Sequence, residues 1–114
     1  MQMLADYLLP GLVVVFVAWR VLSSFLARRR IPALLQEGAQ VVDVRSLAEF
    51  SGGHAPGSVN IPLPELDQRI KELDPGRWVI VCCASGTRSA LARRKLRGRG
   101  FAHVLNAGSW RNLP

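Results

Sequence analysis

The sequence predicts an α/β fold in which helices flank a central, mainly parallel sheet and one transmembrane helix precedes it. Three observations lead to this prediction: an apolar N-terminal stretch, a series of short apolar runs rich in β-branched residues, and segments of helical character between those runs. Composition divides the 114 residues into a membrane anchor with a basic end, residues 1–30, and one small globular domain, residues 31–114.

The apolar stretch covers residues 7–26, from Tyr7 to Leu26, and its only charge is Arg20. A helix of this length measures about 30 Å, which matches the hydrocarbon thickness of a bilayer. An arginine at the bilayer centre opposes insertion by about 2.5–3.5 kcal/mol, but Arg20 lies off-centre and the apolar side chains outweigh it. We therefore expect this segment to span a lipid bilayer.

Two other interpretations of the stretch are less favoured. A secretory signal peptide begins with positive charge, whereas the leading residues contain Asp6 and no lysine or arginine. A buried core helix would be amphipathic, and the domain of residues 31–114 is too small to enclose it. Arg28, Arg29 and Arg30 follow the stretch, so the positive-inside rule predicts a single-pass protein whose C-terminal domain faces the cytoplasm.

The globular part begins with a helix and a strand. Residues 31–38 place Pro32 in the first turn of the predicted helix. Residues 41–44 are apolar and largely β-branched, which predicts a buried strand. A helical turn over residues 46–50 and a short strand over residues 59–61 follow.

The second half continues the alternation of helix and strand. Residues 64–73 carry apolar side chains at helical spacing, and residues 78–82 form the strongest strand, which we expect at the centre of the sheet. Residues 89–97 predict another helix, and residues 103–105 predict a last strand. The buried stripe of that helix is expected to comprise Leu91, Ala92 and Leu96.

The chain is basic, because 15 lysines and arginines against 8 acidic residues give a formal net charge of +7. Residues 88–99 form a basic block without an acidic side chain. Such a block suits nucleic acid, anionic lipid or a small anionic substrate, or it is simply a solvated helix face. Nucleic acid is not an expected partner, because Phe101 is the only aromatic residue near the block and no nucleic-acid-binding motif is present.

The two cysteines, Cys82 and Cys83, are adjacent. A disulfide between neighbours is strained and closes no stabilising loop, so the pair predicts a reactive thiol in a reducing compartment. Cys82, within the predicted strand, is interpreted as a core residue, with a role as resolving thiol as the alternative. His54 and His103 stand apart without the spacing of metal ligands, so neither a metal nor another cofactor is expected.

The segment VIVCCASGTRS, residues 79–89, predicts a strand, a short loop and the start of a helix. Cysteine reacts as its thiolate. Backbone N–H groups around Gly86, the positive end of the following helix and the charge of Arg88 would each favour the thiolate of Cys83. We therefore expect Cys83 and Arg88 to be catalytic. The expected substrate-binding loop comprises Ala84, Ser85, Gly86, Thr87 and Ser89.

Two strings carry a family resemblance. The string CASGTRS, residues 83–89, resembles the active-site loop of single-domain rhodaneses, and DVRSLAEFSGGHAPGSVNIP, residues 43–62, resembles the other signature of that family. The resemblance covers residues 31–110 and implies a rhodanese-like fold and a sulfurtransferase activity. It implies that Cys83 takes sulfane sulfur from a small anionic donor, thiosulfate or a persulfide, while Arg88 stabilises the anionic sulfur. The acceptor would be a thiol or cyanide, and a protein acceptor is an alternative.

Two alternative functions compete with sulfur transfer. In rhodanese-related phosphatases and arsenate reductases the loop is one residue longer, so the four residues between Cys83 and Arg88 favour sulfur chemistry. The second alternative is a catalytically inactive rhodanese-like module that recruits a partner to the membrane. Such a module does not need the active-site loop, so the presence of Cys83, Gly86 and Arg88 argues against it. Ala84 stands where the family often has a basic residue, which leaves the preferred donor open.

Four polar residues of the upstream string are expected to have structural roles. Asp43 and Arg45 share a strand face at a spacing of two and Glu49 follows four residues later, which predicts a local polar network. His54 is expected to cap a turn by hydrogen bonding rather than to act as a general base.

Overall fold

The computed structural model describes residues 2–114, and within them helices and strands alternate in the predicted order. The elements are α1 (Gln2–Arg29), α2 (Ile31–Gln36), β1 (Gln40–Asp43), α3 (Leu47–Ser51), β2 (Val59–Asn60), α4 (Leu66–Arg69), β3 (Val79–Cys83), α5 (Thr87–Gly98) and β4 (Val104–Ser109). Short 3₁₀ turns cover Leu63–Glu65, Ile70–Glu72 and Trp110–Asn112.

The described strands form one parallel sheet in the order β2-β1-β3-β4. In the register of this sheet Val81 of β3 lies opposite Val42 of β1, and Ile80 lies opposite Leu105 of β4. β3 therefore has a neighbour on both sides. The prediction of an α/β fold with a parallel sheet flanked by helices is confirmed.

Both faces of the sheet are covered. Val81 and Cys83 pack in a cluster that includes side chains of α4 and α5, whereas Ile80 and Cys82 pack in a second cluster that includes side chains of α2. Side chains of a strand alternate between its faces, so the adjacent cysteines lie in different clusters. Burial on both faces also explains why β3 is apolar throughout.

The helix α1 extends away from this core. Its large apolar side chains, from Met3 to Leu26, are each at least 50% exposed, and Ser23 and Ala27 are the positions that the domain partly covers. With 28 residues at 1.5 Å each, the helix is about 42 Å long. It is long and apolar enough to cross a membrane, as judged by length and composition alone.

Two helices differ from the prediction. The helix expected over residues 64–73 is a single α-turn, α4, between two 3₁₀ turns, because the first turn holds Pro64 and is closed by a bond from the N–H of Glu65 to the carbonyl of Pro62. Helix α5 begins at Thr87, two residues before its predicted start. The prediction that Leu91 is buried is wrong: its side chain is 48% exposed, and Ser89 takes the inward position beside Ala92 and Leu96.

The last strand is longer than predicted. It continues to Ser109 rather than ending at residue 105, because it pairs with β3 as far as Cys83. A shift in register between Val81 and Cys82 accompanies this extension. The extended end of β4 thereby reaches the segment that follows Cys83.

Candidate active site

Cys83 is the last residue of β3, and the chain turns directly from it into α5. The turn depends on Gly86, whose φ of +102° is a conformation that side chains rarely adopt. A Cβ at this position would lie 3.1 Å from the Cα atom of Gly108 in β4. Glycine therefore permits both the turn and the close approach of the two segments.

The sulfur of Cys83 accepts hydrogen bonds from the turn. The N–H of Gly86 donates to Sγ at 2.9 Å, and the Ser89 hydroxyl lies 3.4 Å from Sγ. Burial raises the pKa of the Cys83 thiol, but hydrogen bonds from the Ser89 side chain and from the N–H groups of Ser89, Gly86 and Ser85 outweigh burial. The pKa of Cys83 is therefore lowered from its ordinary value, which favours the nucleophilic thiolate.

Asn106 of β4 is the residue that orients Ser89. The Ser89 hydroxyl lies 2.7 Å from Oδ1 of Asn106, and the same Oδ1 accepts the N–H of Gly108 at 2.9 Å. A hydroxyl has a single hydrogen, so Ser89 can turn it to a thiolate at Cys83 while Asn106 keeps its bond from Gly108. Asn106 also donates from Nδ2 to the carbonyl of Gly86 at 3.2 Å, which fixes the turn.

In the described part of the chain, the guanidinium of Arg88 forms its hydrogen bonds with Glu49 and not with the Cys83 sulfur. Nη1 and Nη2 of Arg88 donate to the two carboxylate oxygens of Glu49 at 2.7 and 3.0 Å. This contact with Arg88, followed by bonds from Ser46, lowers the pKa of Glu49 to about 2. Ser46 and Glu49 also form the capping box of α3, so the ion pair connects α3 to the start of α5.

The expected polar network of Asp43, Arg45 and Glu49 is therefore divided. Arg45 and Asp43 form a buried ion pair with Nη2 and Oδ2 2.7 Å apart, and the Asp43 hydrogen bond raises the pKa of Arg45. Glu49 joins this pair only through its backbone carbonyl, 3.4 Å from Nη1 of Arg45. Arg45 also donates to the carbonyl of Gly53 at 2.7 Å and lies over the ring of Trp110, 4.7 Å from its centroid.

His54 makes its contacts at the end of α3. Its Nδ1 atom lies 2.9 Å from the carbonyl oxygen of Phe50, and the two rings stack with centroids 3.8 Å apart. These contacts hold the imidazole against the helix that carries Glu49.

Cys82 lies in the other core cluster and has no exposed surface. Burial, with a smaller contribution from the charge of Asp43, raises the pKa of the Cys82 thiol to about 12. The two adjacent cysteines therefore have opposite reactivities, and Cys82 is a protonated thiol at neutral pH.

The remaining residues of the turn form its outer surface. Ala84, Ser85 and Thr87 are exposed, and the hydroxyl oxygens of Ser85 and Thr87 lie 3.4 Å apart. Cys83 itself has no exposed surface. In the described part of the chain, no group of three or more His, Cys, Asp or Glu side chains is placed to hold a metal ion.

Sequence reasoning missed Asn106 and the contact between Glu49 and Arg88. Asn106 could have been identified, because it is a polar residue directly after an apolar run that predicts a strand. The contact between Glu49 and Arg88 joins residues 39 positions apart, and nothing in the sequence indicates which acidic residue pairs with Arg88.

Comparison with known proteins shows which family the chain resembles. The family model described as "Rhodanese-like domain" matches residues 29–112. Thiosulfate sulfurtransferase PspE of Escherichia coli (strain K12) is 35% identical over 74 residues, which are 63% of this chain and 71% of that protein. The putative sulfur carrier protein YrkF of Bacillus subtilis (strain 168) is 39% identical over 70 residues, and the match spans only 38% of its length.

A solved structure agrees with these matches. The solved structure of a "rhodanese with anions from E. coli" superposes with a TM-score of 0.63 and 33% sequence identity, and the match covers 68% of this chain and 95% of that one. The resemblance therefore extends from the sequence signatures to the arrangement of the sheet and its helices.

Proposed function

This chain belongs to the rhodanese-like family, and on that premise we propose that it is a sulfurtransferase that carries sulfane sulfur as a persulfide of Cys83. The observation that carries the proposal is the environment of the Cys83 sulfur. The sulfur accepts the N–H of Gly86 at 2.9 Å, lies beside the Ser89 hydroxyl and has a lowered pKa. Hydrogen-bond donors that favour a thiolate also favour the anion of a persulfide at the same position.

In the first half of the reaction the Cys83 thiolate attacks the outer sulfur of thiosulfate. The new bond joins Sγ to that sulfur, the S–S bond of thiosulfate breaks, and its electron pair leaves with sulfite. The product is the persulfide anion of Cys83. With an organic persulfide as donor, the same attack releases the organic thiolate.

In the second half an acceptor thiolate or cyanide attacks the outer sulfur of the persulfide. The bond between the two sulfurs breaks, and Sγ of Cys83 leaves as the thiolate that began the cycle. The lowered pKa of Cys83 supports this step, because a more acidic thiol is a better leaving group. Arg88, held by Glu49 at 2.7 Å, would supply positive charge beside the anionic donor and leaving groups.

We propose that α1 anchors this activity to a membrane with the domain in the cytoplasm. The support is physical: a helix whose large apolar side chains from Met3 to Leu26 are all at least half exposed needs an apolar environment. Arg28, Arg29 and Arg30 at its end supply the positive charge that is typical of a cytoplasmic flank.

The test is intact-mass spectrometry of the full chain in mild detergent after incubation with thiosulfate or glutathione persulfide. Wild type and Cys82→Ser should each gain the mass of one sulfur atom, Cys83→Ser should gain none, and cyanide should remove the added sulfur as thiocyanate. The Cys82→Ser variant is the matched control, because it removes a thiol at the neighbouring position.

Two results would support the alternatives instead. Absence of added sulfur with both donors would contradict the transferase proposal and favour a membrane-bound interaction module. Hydrolysis of a chromogenic phosphate ester by wild type but not by Cys83→Ser would favour a phosphatase.

A further inference from the structure

A cavity of about 730 Å³ lies between α1 and the turn that follows Cys83. At about 30 Å³ for each water molecule, it has the volume of roughly two dozen waters, which is more than a thiosulfate ion needs. Three cationic side chains line it: Arg20 and Arg28 from α1, and Arg94 from α5. Within the described residues, no acidic side chain lines this cavity.

The three arginines of the cavity have no carboxylate partner in the described part of the chain. Arg88 and Lys95 each contact a carboxylate at 2.7 to 2.8 Å, whereas no ion pair within residues 2–114 involves Arg20, Arg28 or Arg94. Positive charges that share a cavity without a counter-charge repel one another. A bound anion relieves that repulsion and forms charge-assisted hydrogen bonds.

Arg28 is held in place by a neutral partner. Its Nη1 atom donates to Oδ1 of Asn112 at 3.4 Å, and Nδ2 of Asn112 donates to the carbonyl of Ala107 at 2.8 Å. Asn112 is also a lining residue of the cavity. This chain of bonds orients the guanidinium against β4 and leaves its charge uncompensated.

The cavity shares a wall with the site of sulfur chemistry. Ser85, Gly86 and Thr87 line it, and the N–H of Gly86 is the group that donates to the Cys83 sulfur at 2.9 Å. A ligand in the cavity is therefore separated from Cys83 by the thickness of one turn.

We propose that this cavity binds the negatively charged part of the sulfur donor, and that the donor is an organic persulfide bearing carboxylates. The carboxylates would pair with Arg20, Arg28 and Arg94 while the persulfide sulfur reaches Cys83 across the turn. The thiolate of Cys83 then attacks the outer sulfur, the donor S–S bond breaks, and the donor leaves as its thiolate. The inference rests on the proposed sulfur transfer and adds that α1 supplies two arginines of the donor site.

The position of the cavity along α1 fits a membrane anchor. Residues 2–19 make up the part of the helix before the first lining residue, Arg20, and at 1.5 Å each they rise about 27 Å. That length is close to the hydrocarbon thickness of about 30 Å, and it places Asp6 near the outer boundary of the hydrocarbon. The cavity would then lie at the membrane surface, where an anionic lipid headgroup is the competing ligand.

The first arm of the test is kinetic and uses the full chain in phosphatidylcholine nanodiscs. Single-turnover persulfidation of Cys83 is measured with glutathione persulfide and with 2-hydroxyethyl persulfide, which has no carboxylate. Each of Arg20→Gln, Arg28→Gln and Arg94→Gln should raise the half-saturating concentration of glutathione persulfide by about five- to tenfold, the effect of losing one solvent-accessible hydrogen bond. Saturation by 2-hydroxyethyl persulfide should not change.

Two arginines outside the cavity serve as matched controls. Arg29→Gln removes the same charge from α1, and Arg97→Gln removes it from α5. Both should behave as wild type with both donors. Equal weakening of both donors in the cavity variants, or an equal effect in the controls, would overturn the donor assignment.

The second arm measures binding without sulfur transfer. Glutathione sulfonate, a stable anion, is titrated calorimetrically into the full-length Cys83→Ser chain with and without each cavity substitution. Weaker binding by about five- to tenfold in the cavity variants supports the proposal even if wild type forms no persulfide, so failure of the proposed function is recognised separately. If the substitutions instead weaken only binding to phosphatidylglycerol vesicles, the cavity is a lipid site and the donor assignment is wrong.

Discussion

At the scale of single residues, the adjacent cysteines show how position in a strand controls reactivity. Cys82 lies in the cluster that includes α2, where burial raises the pKa of its thiol to about 12. Cys83 is equally buried but lies at the end of β3, where the N–H of Gly86 and the hydroxyl of Ser89 lower its pKa. Burial alone does not decide the charge of a thiol. The hydrogen-bond donors around the sulfur act against burial and decide which effect prevails.

Replacing Ser89 with alanine should raise the pKa of Cys83. The hydroxyl 3.4 Å from Sγ is the leading contribution that lowers the pKa of Cys83. Without it, only the backbone N–H groups oppose the effect of burial, which raises that pKa. Persulfidation rises with pH as the thiolate forms, and the Ser89→Ala profile should therefore be displaced to higher pH than that of wild type. Below the pKa, each unit of displacement lowers the rate about tenfold. The measurement is the pH dependence of single-turnover persulfidation by thiosulfate.

Ser85→Ala is the matched control for that profile. The Ser85 side chain is exposed and faces Thr87 at 3.4 Å, so removing its hydroxyl leaves the backbone bond of Ser85 to the sulfur in place. Its pH midpoint should equal that of wild type. An unchanged midpoint in Ser89→Ala would show that the backbone N–H groups alone determine the pKa of Cys83.

How far the site could be predicted also differs from residue to residue. Cys83, Gly86 and Arg88 follow from local sequence, because a strand, a tight turn and a helix start leave few arrangements of the backbone. The partner of Arg88 could not be predicted, since Glu49 lies 39 positions away and comes close only in the folded chain. Asn106 depends in the same way on the pairing of β3 with β4.

At the scale of elements, local and non-local forces account for the differences in helix boundaries. The spacing of apolar residues identified the inward positions of the 64–73 segment, since Leu66 and Leu73 are buried. It did not show that proline and tight 3₁₀ turns interrupt the helix. For α5 the exposed Leu91 lines the cavity beside α1, a neighbour that the domain sequence alone does not predict.

The turn between β3 and α5 should tolerate no side chain at Gly86. Alanine there would place Cβ 3.1 Å from the Cα atom of Gly108 and would have to adopt a φ of +102°. The left-handed conformation costs roughly 1–2 kcal/mol for a residue with a side chain, before any displacement of β4. Gly86→Ala should therefore lower the thermal unfolding midpoint in detergent and slow persulfidation at least tenfold, as mass spectrometry would record.

Gly98→Ala provides the comparison at the other end of α5. A Cβ at Gly98 meets no atom within 4 Å, so alanine should be neutral or should stabilise the chain by about 0.4–1 kcal/mol. Persulfidation should keep its wild-type rate. If Gly86→Ala behaved like Gly98→Ala, the geometry of this turn would not control the reaction.

The ion pair between α3 and α5 should matter for activity more than for stability. Glu49→Gln removes the carboxylate that holds Arg88 at 2.7 Å, and the pair is exposed enough that its contribution to folding is small. Persulfidation by thiosulfate should slow several-fold, while the unfolding midpoint changes little. Because the pKa of Glu49 is about 2, its carboxylate stays ionised above pH 5. The ratio of the wild-type persulfidation rate to the Glu49→Gln rate should therefore stay constant from pH 5 to pH 9.

Glu72→Gln is the control for this prediction. It breaks an ion pair of the same length, because Nε of Arg69 and Oε2 of Glu72 are 2.7 Å apart. Neither residue belongs to the turn that follows Cys83. It should leave the rate unchanged. Equal effects of the two substitutions would mean that Arg88 needs no fixed position.

At the scale of the whole molecule, the chain combines a domain whose apolar residues are largely buried with a helix whose apolar residues are largely exposed. The two parts meet where Ser23 and Ala27 of α1 are partly covered and Arg28 bonds Asn112. A domain held this close to the helix cannot enter the hydrocarbon. With α1 as the proposed anchor, the bilayer would surround the helix before Arg20, somewhat nearer the N-terminus than the segment 7–26 that hydropathy alone suggests.

The full chain should fractionate with membranes and resist extraction by alkaline carbonate. Replacing both Leu12 and Val13 with arginine puts two charges near the middle of residues 2–19, each opposing insertion by about 2.5–3.5 kcal/mol. This variant should move to the soluble fraction, whereas Leu47→Arg, on an exposed position of the domain, should stay with the membrane.

Protease added to inverted vesicles should digest the domain, and protease added to right-side-out vesicles should not. Release of wild type by carbonate, or digestion from the outer side, would contradict the anchor or its orientation, respectively.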